Sequence, residues 1–255
     1  MPVTLIRPNL LPYIAALLVL AIAVHGSIAQ FDNYHHFADA RSLFGIPNAG
    51  DVLSNLGFLL VGAYGLLSWW RSPAQIAGRA SYGVFFAAVA LTAAGSGWYH
   101  LAPDDARLIW DRLPIALACG ALLAAELQRA YPRAGWARAS LAVLAMFAMA
   151  SVAWWSTTGD LRPYLMLQVA PLLLIPALHW QTGAPITRRT AFLVAFVLYV
   201  LAKMCEAADA SVLATLGVVS GHTLKHVLAF VAAFELVRQF RPEPLKFSIG
   251  WIKEL

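Results

Sequence analysis

Five residues in three stretches of this chain have the types and spacing for metal chemistry. In Gly95-Ser96-Gly97-Trp98-Tyr99-His100 a serine stands four residues before a histidine, and in His222-Thr223-Leu224-Lys225-His226 two histidines share that spacing. Residues four apart lie on one face of a helix, so Ser96 sits beside His100 and His222 beside His226. Asp111, eleven residues after His100, adds a carboxylate. Three imidazoles, a carboxylate and a hydroxyl are the set a hydrolytic zinc centre uses. Neutral ring nitrogens hold the ion, a fourth position stays open for water, and the carboxylate handles the proton.

The elements that must position these groups are membrane helices. The chain is 60% hydrophobic and only 12% charged, with a mean hydropathy of +0.68, far from the balance of a water-soluble domain. Apolar runs of roughly 20 residues, the length needed to cross a hydrocarbon core of ~30 Å, recur almost end to end. Spans are expected near 10–29, 51–70, 80–101, 108–129, 137–155, 161–180, 189–206 and 220–238. The fold class is therefore all-α, a polytopic helical membrane bundle. An ionisable side chain inside such a span is costly and marks a functional site by default.

Charge orders the spans. Arg7, Arg71, Arg79, Arg129, Arg133, Arg138, Arg188, Arg189, Arg238, Arg241, Lys246 and Lys253 fall on one side of the alternation. The other side carries Arg41, Arg107 and Arg162 among Asp32, Asp39, Asp51, Asp104, Asp105, Asp160, Glu206 and Asp209. This positive-inside pattern places both termini in the cytoplasm. It also accounts for the basic pI of about 9.4 without nucleic acid, for which no basic groove interleaved with aromatics is present. The topology puts Ser96 and His100 in the last turns of one span. Asp111, His222 and His226 fall in the first turns of two others, all at one depth near the outer face.

Other features read as structure. The run from Leu10 to Val24 with Ser27-Ile28-Ala29 loosely fits a secretory leader, but a retained first helix is expected, because its start carries a single Arg and the span is long. Cys119 and Cys205 lie at different depths and read as small packing residues rather than a disulfide. His25, His35, His36 and His179 are assigned to hydrogen-bonded or interfacial roles, with His179-Trp180 as an interfacial anchor. Lys203 and Glu206 form a helix-spaced ion pair. Asp111 followed by Arg112 has an ion pair as its competing reading.

Ser96-x-x-x-His100, Asp111 eleven residues on, and His222-x-x-x-His226 near the C-terminus together resemble the signature of the alkaline ceramidase family. That family belongs to a superfamily of seven-helix membrane hydrolases that includes adiponectin-receptor-like proteins. Asp51-Val52-Leu53-Ser54-Asn55 is similar to the start of the family's first core helix. The resemblance covers about residues 48–240 and implies a seven-helix core preceded by one extra helix within 1–47, with 241–255 as a cytoplasmic tail. The family's animal members carry a dense acidic calcium-binding segment before that core. Here Asp32, Asp39, Asn48 and Asp51 occupy the corresponding stretch with oxygen ligands suited to calcium. A turn-rich loop around Gly45-Ile46-Pro47-Asn48 is the competing reading.

The resemblance implies hydrolysis of the amide bond of ceramide or a related N-acyl lipid to free fatty acid and a long-chain amine. His100, His222 and His226 would be the zinc ligands. Asp111 would be general base and then proton donor to the leaving amine, and the Ser96 hydroxyl would donate to the developing oxyanion. Ser96 as nucleophile is the rival role. The partners implied are a membrane lipid substrate and the bilayer, and the Ala- and Arg-rich composition suits a bacterial inner membrane. The alternative class is a receptor-like or transport protein with a structural zinc, which would use a fourth protein ligand.

Overall fold

Glycine and proline punctuate the chain where helices must stop. Gly159 and Gly183 adopt φ of +73° and +65° at helix C-termini, the left-handed position that a side chain resists. A computed structural model describes residues 9–240. Its helices are α1 Leu11–His25, α2 Ala49–Ser54, α3 Leu56–Trp70, α4 Arg79–Leu101, α5 Asp105–Ala130, α6 Gly135–Thr158, α7 Arg162–Thr182, α8 Ile186–Ala207, α9 Asp209–Leu216 and α10 Gly221–Val237. A short 3₁₀ turn, Arg238–Phe240, follows. Apart from an isolated bridge between Leu43 and Ile46, the described residues hold no β structure. The protein is an all-α helical bundle. Arg7, Arg241, Lys246, Lys253 and the expected 241–255 tail lie outside the described residues.

Six stretches are long and apolar enough to cross a membrane: Ala49–Trp70, Arg79–Leu101, Asp105–Ala130, Gly135–Thr158, Arg162–Thr182 and Ile186–Ala207. The 49–70 stretch combines α2 and α3. Asn55 between them keeps helical angles and donates from its side-chain amide to the Asp51 carbonyl at 2.7 Å. The last apolar stretch is not one straight span. α9 and α10 meet at a bend of 100°, where Gly217 (φ +72°) ends α9 and Ser220 caps α10, accepting from the Thr223 amide at 3.0 Å.

The first span is shorter than expected. α1 has 15 residues, about 22 Å at 1.5 Å per residue, and it stops at Gly26 rather than continuing to 29. Residues 26–48 form an irregular strap across one end of the bundle. Ile28 N–H donates to Asp160 at 3.1 Å and Ile28 carbonyl accepts from Leu161 at 2.8 Å. The Arg162 guanidinium, with the backbone N–H groups of Arg162 and Ile28, holds the Asp160 carboxyl well below the usual carboxylate range. The Asn48 amide donates to the His100 carbonyl at 2.8 Å.

Small residues let the helices approach. α4 packs between α3 and α5, and α10 lies against α8 and α3. A Cβ on Gly62 would fall 2.4 Å from the Ala90 nitrogen, and one on Gly95 would fall 1.9 Å from the Trp110 carbonyl oxygen. Both are inside van der Waals contact, so no larger residue fits without moving a helix. The Gly95 contact seats α4 directly on the turn of α5 that carries Asp111.

Candidate metal centre

The last turns of α4, the first turns of α5 and the first turns of α10 meet beneath the 26–48 strap. His100, His222 and His226 are all buried, and their ligand nitrogens lie within 4.8 Å of one another. The ring centroids form a nearly equilateral triangle with sides of 4.9, 5.0 and 4.9 Å. His100 Nε2 and His222 Nε2 are 3.3 Å apart. A tetrahedral zinc with bonds of about 2.0–2.1 Å separates its ligand nitrogens by about 3.3–3.4 Å, so this spacing fits the ion.

The His226 ring is oriented by a hydrogen bond, and the Nδ1 of His100 is buried without a partner. The Ser54 hydroxyl donates to the Asp51 carbonyl at 3.0 Å, which leaves its oxygen to accept from His226 Nδ1 at 2.8 Å. That bond fixes the tautomer and leaves Nε2 of His226 as the lone-pair nitrogen, the outer support that metal-binding histidines use. Asp209 accepts from the His222 backbone N–H at 2.7 Å with one oxygen and from Ala38 N–H at 2.9 Å with the other. Phe37 lies over the site, 4.7 Å from the His100 ring and 4.4 Å from His222. The close seat of Gly221 against Cys205, whose carbonyl would be 2.1 Å from an added Cβ, sets the start of α10.

Ser96 is buried one turn before His100, and its neighbour Gly95 packs against the backbone of Trp110 and Asp111. The structure thus brings His100, His222 and His226 together as a possible ligand set, with Ser96 one turn away on α4 and Asp111 on the turn of α5 that Gly95 packs against. Lys225 Nζ lies 2.8 Å from His222 Nε2 and 3.0 Å from Glu206. A cation at the histidines competes with the ammonium for that nitrogen, and Glu206 is the ammonium's other partner. Lys203 also pairs with Glu206, as their helix spacing implies.

One competing reading is set aside and one expectation is revised, while His35 is hydrogen-bonded as expected. Arg112 makes no ion pair with Asp111. It turns the other way, its guanidinium 3.7 Å from the Trp155 ring centre and 5.3 Å from those of Tyr34 and Tyr164. His179 is not an interfacial anchor. It is buried at the opposite end of the bundle and paired with Glu126 at 2.9 Å. His35 bonds the Tyr99 hydroxyl at 3.0 Å and Asp105 at 3.1 Å.

Asp32, Asp39 and Asp51 do not converge into a carboxylate group; among the described residues the histidine triad is the one close set of potential ligands. Arg41 bonds the Asp39 carboxyl at 2.7 Å and holds it below the usual range. Asp51 is fully buried and accepts from the Thr223 hydroxyl at 2.7 Å. Asn48, at φ +47°, donates to His100 as described.

Ser54, Phe37 and Asp209 escape a motif search. Ser54 is the exception with a signal, since it falls on the same face as Asp51, within an apolar run. The other two act through contacts between separate elements, Phe37 on His100 and His222 and Asp209 on Ala38 and His222. No family model matches this chain, and no curated protein matches it.

Proposed function

We propose that this protein is a zinc-dependent membrane hydrolase that cleaves the amide bond of ceramide or a related N-acyl lipid, releasing fatty acid and a long-chain amine. The observation that carries the reading is the buried triad of His100, His222 and His226, with Ser96 one turn before His100 and Asp111 at the α4–α5 contact. Zinc held by the three imidazoles would supply a Lewis acid and lower the pKa of water toward ~7.

The chain's own residues would do the rest. Asp111 would take the proton of the attacking water and return it to the leaving amine. Ser96 would turn its hydroxyl toward the oxyanion as charge develops there. Phe37 over the rings excludes bulk water, which strengthens every electrostatic contact beneath it. The site lies in the terminal turns of its helices, the depth at which a lipid's amide sits below the headgroups. The amide rather than the ester rests on the family resemblance.

The same reading sets the membrane orientation, with the histidine end outward and the arginine-rich end in the cytoplasm of a bacterial inner membrane. Thr157→Cys, at the histidine end, would react with an impermeant thiol reagent on intact cells, and Arg133→Cys would not. The reverse pattern turns the site inward.

The activity test uses purified protein, its metal content and a long-chain N-acyl sphingoid lipid in detergent micelles. Stoichiometric zinc with release of fatty acid and amine, identified by mass spectrometry, is the expected result. Fatty acid released only with alcohol marks an esterase. Zinc without turnover of any lipid marks a structural site.

A further inference from the structure

Arginine 112 is the most polar side chain the proposed chemistry does not use. It is 3% exposed, it forms no ion pair with any described carboxylate within 4.0 Å, and its Nε and Nη1 have no hydrogen-bond partner. Its one hydrogen bond goes from Nη2 to the Gln30 side-chain oxygen at 2.7 Å. The faces of Trp155, Tyr34 and Tyr164 surround it. Aromatic faces stabilise the charge but accept none of the in-plane N–H groups, which remain unsatisfied in a buried place.

The two residues that hold the guanidinium, Gln30 and Trp155, also line a groove of about 440 Å³ together with Asp105, Ile109, Ser156 and Gly159. The groove opens between the strap, the first turns of α5 and the last turns of α6. Arg112 stands behind Gln30 and Trp155 rather than in the groove wall, one residue after Asp111 on α5.

We infer that Arg112 recognises an anionic oxygen group, a carboxylate or a phosphate, on the polar end of the lipid, and that the groove holds that end. The inference rests on the reading of the neighbouring centre as one that takes N-acyl lipids, and it ranks anionic members of that class above neutral ones. An anion bonded to Nε and Nη1 satisfies both donors and balances a buried charge, as charge-assisted bonds do most strongly. Gln30 and Ser156 supply neutral polar contacts in the groove, and the Asp105 carboxylate, which accepts from the Gln30 amide at 3.1 Å, also lines it.

The test is binding to the purified full chain in neutral detergent, read by native mass spectrometry. The probes are three amides with the same acyl chain: N-oleoylglycine, N-oleoylethanolamine and the phosphate ester of N-oleoylethanolamine. Wild type is expected to bind at least one anionic probe about tenfold or more tighter than the neutral one, the size of a charge-assisted hydrogen bond. Preference for the glycine conjugate alone identifies a carboxylate site, and preference for the phosphate ester alone a phosphate site. Arg112→Gln is expected to remove the preference and keep neutral-probe binding, with Arg112→Lys retaining part of it. His100→Ala is expected to keep the preference, so loss of hydrolysis and loss of anion recognition are read separately. Equal affinity of wild type for all three probes overturns the inference whatever the variants do. A preference undiminished in Arg112→Gln does so as well.

Discussion

The molecule buries histidine at both ends of its bundle, and the two settings differ in what faces the rings. At the end of α7, His179 meets the Glu126 carboxylate at 2.9 Å, and the same carboxylate takes the Tyr82 hydroxyl. Arg129 bonds Tyr82 at 3.1 Å and Arg188 stands 4.0 Å from Glu126. Every member has a partner and the charges offset one another. At the other end, His100, His222 and His226 turn their nitrogens toward each other with no carboxylate among them. A histidine beside a carboxylate is complete as it stands. Three rings with converging lone pairs are complete only around a cation. The two clusters share residue type and burial, so neither property singles out a possible metal site; three ring nitrogens turned toward one another do, with the Lys225 ammonium beside one of them.

The largest expected effect separates the clusters outright. Replacing His100, His222 or His226 with Ala should take zinc from one ion per chain to none by elemental analysis, whereas His179→Ala should keep it. Zinc retained in all three triad variants would end the distinction. Next, Asp111→Asn should lower turnover by about 10²–10⁴, the usual worth of a positioned acid–base group, with zinc intact. Glu126→Gln should leave turnover near wild type.

The opposite end should answer in stability instead. Glu126→Ala leaves His179 and Arg188 facing a buried gap and should cost about 3–5 kcal/mol, as loss of one partner of a buried pair does. Thermal unfolding in detergent measures it, and unchanged zinc content shows that the effect stays at that end. The smallest effect sharpens the triad itself. Ser54→Ala frees the His226 ring and should weaken zinc binding about 10–100-fold in chelator competition, without abolishing it.

Helical spacing makes the triad readable in sequence, because His222 and His226, or Ser96 and His100, need only one turn to become neighbours. Their depth follows from counting spans. The second cluster went unread for a physical reason. Glu126 and His179 lie 53 positions apart on different helices, and no local period links them. Glu126 nonetheless carries its own signal, since a carboxylate within an apolar span requires a partner. Arg112 shows the opposite limit. Its neighbour in sequence, Asp111, is not its neighbour in space, because successive residues on a helix point about 100° apart. The stop of α1 at Gly26 and the bend before α10 both depend on how the strap and α9 pack over the bundle end, which hydropathy does not encode.

Asp209 spends one oxygen on the strap at Ala38 and the other on the first turn of α10 at His222. Phe37 and a ring it covers therefore hang from a single pin. A tug on the strap is transmitted to His222 before it uncovers the histidines, so lifting the cover and loosening the ligand are one mechanical event.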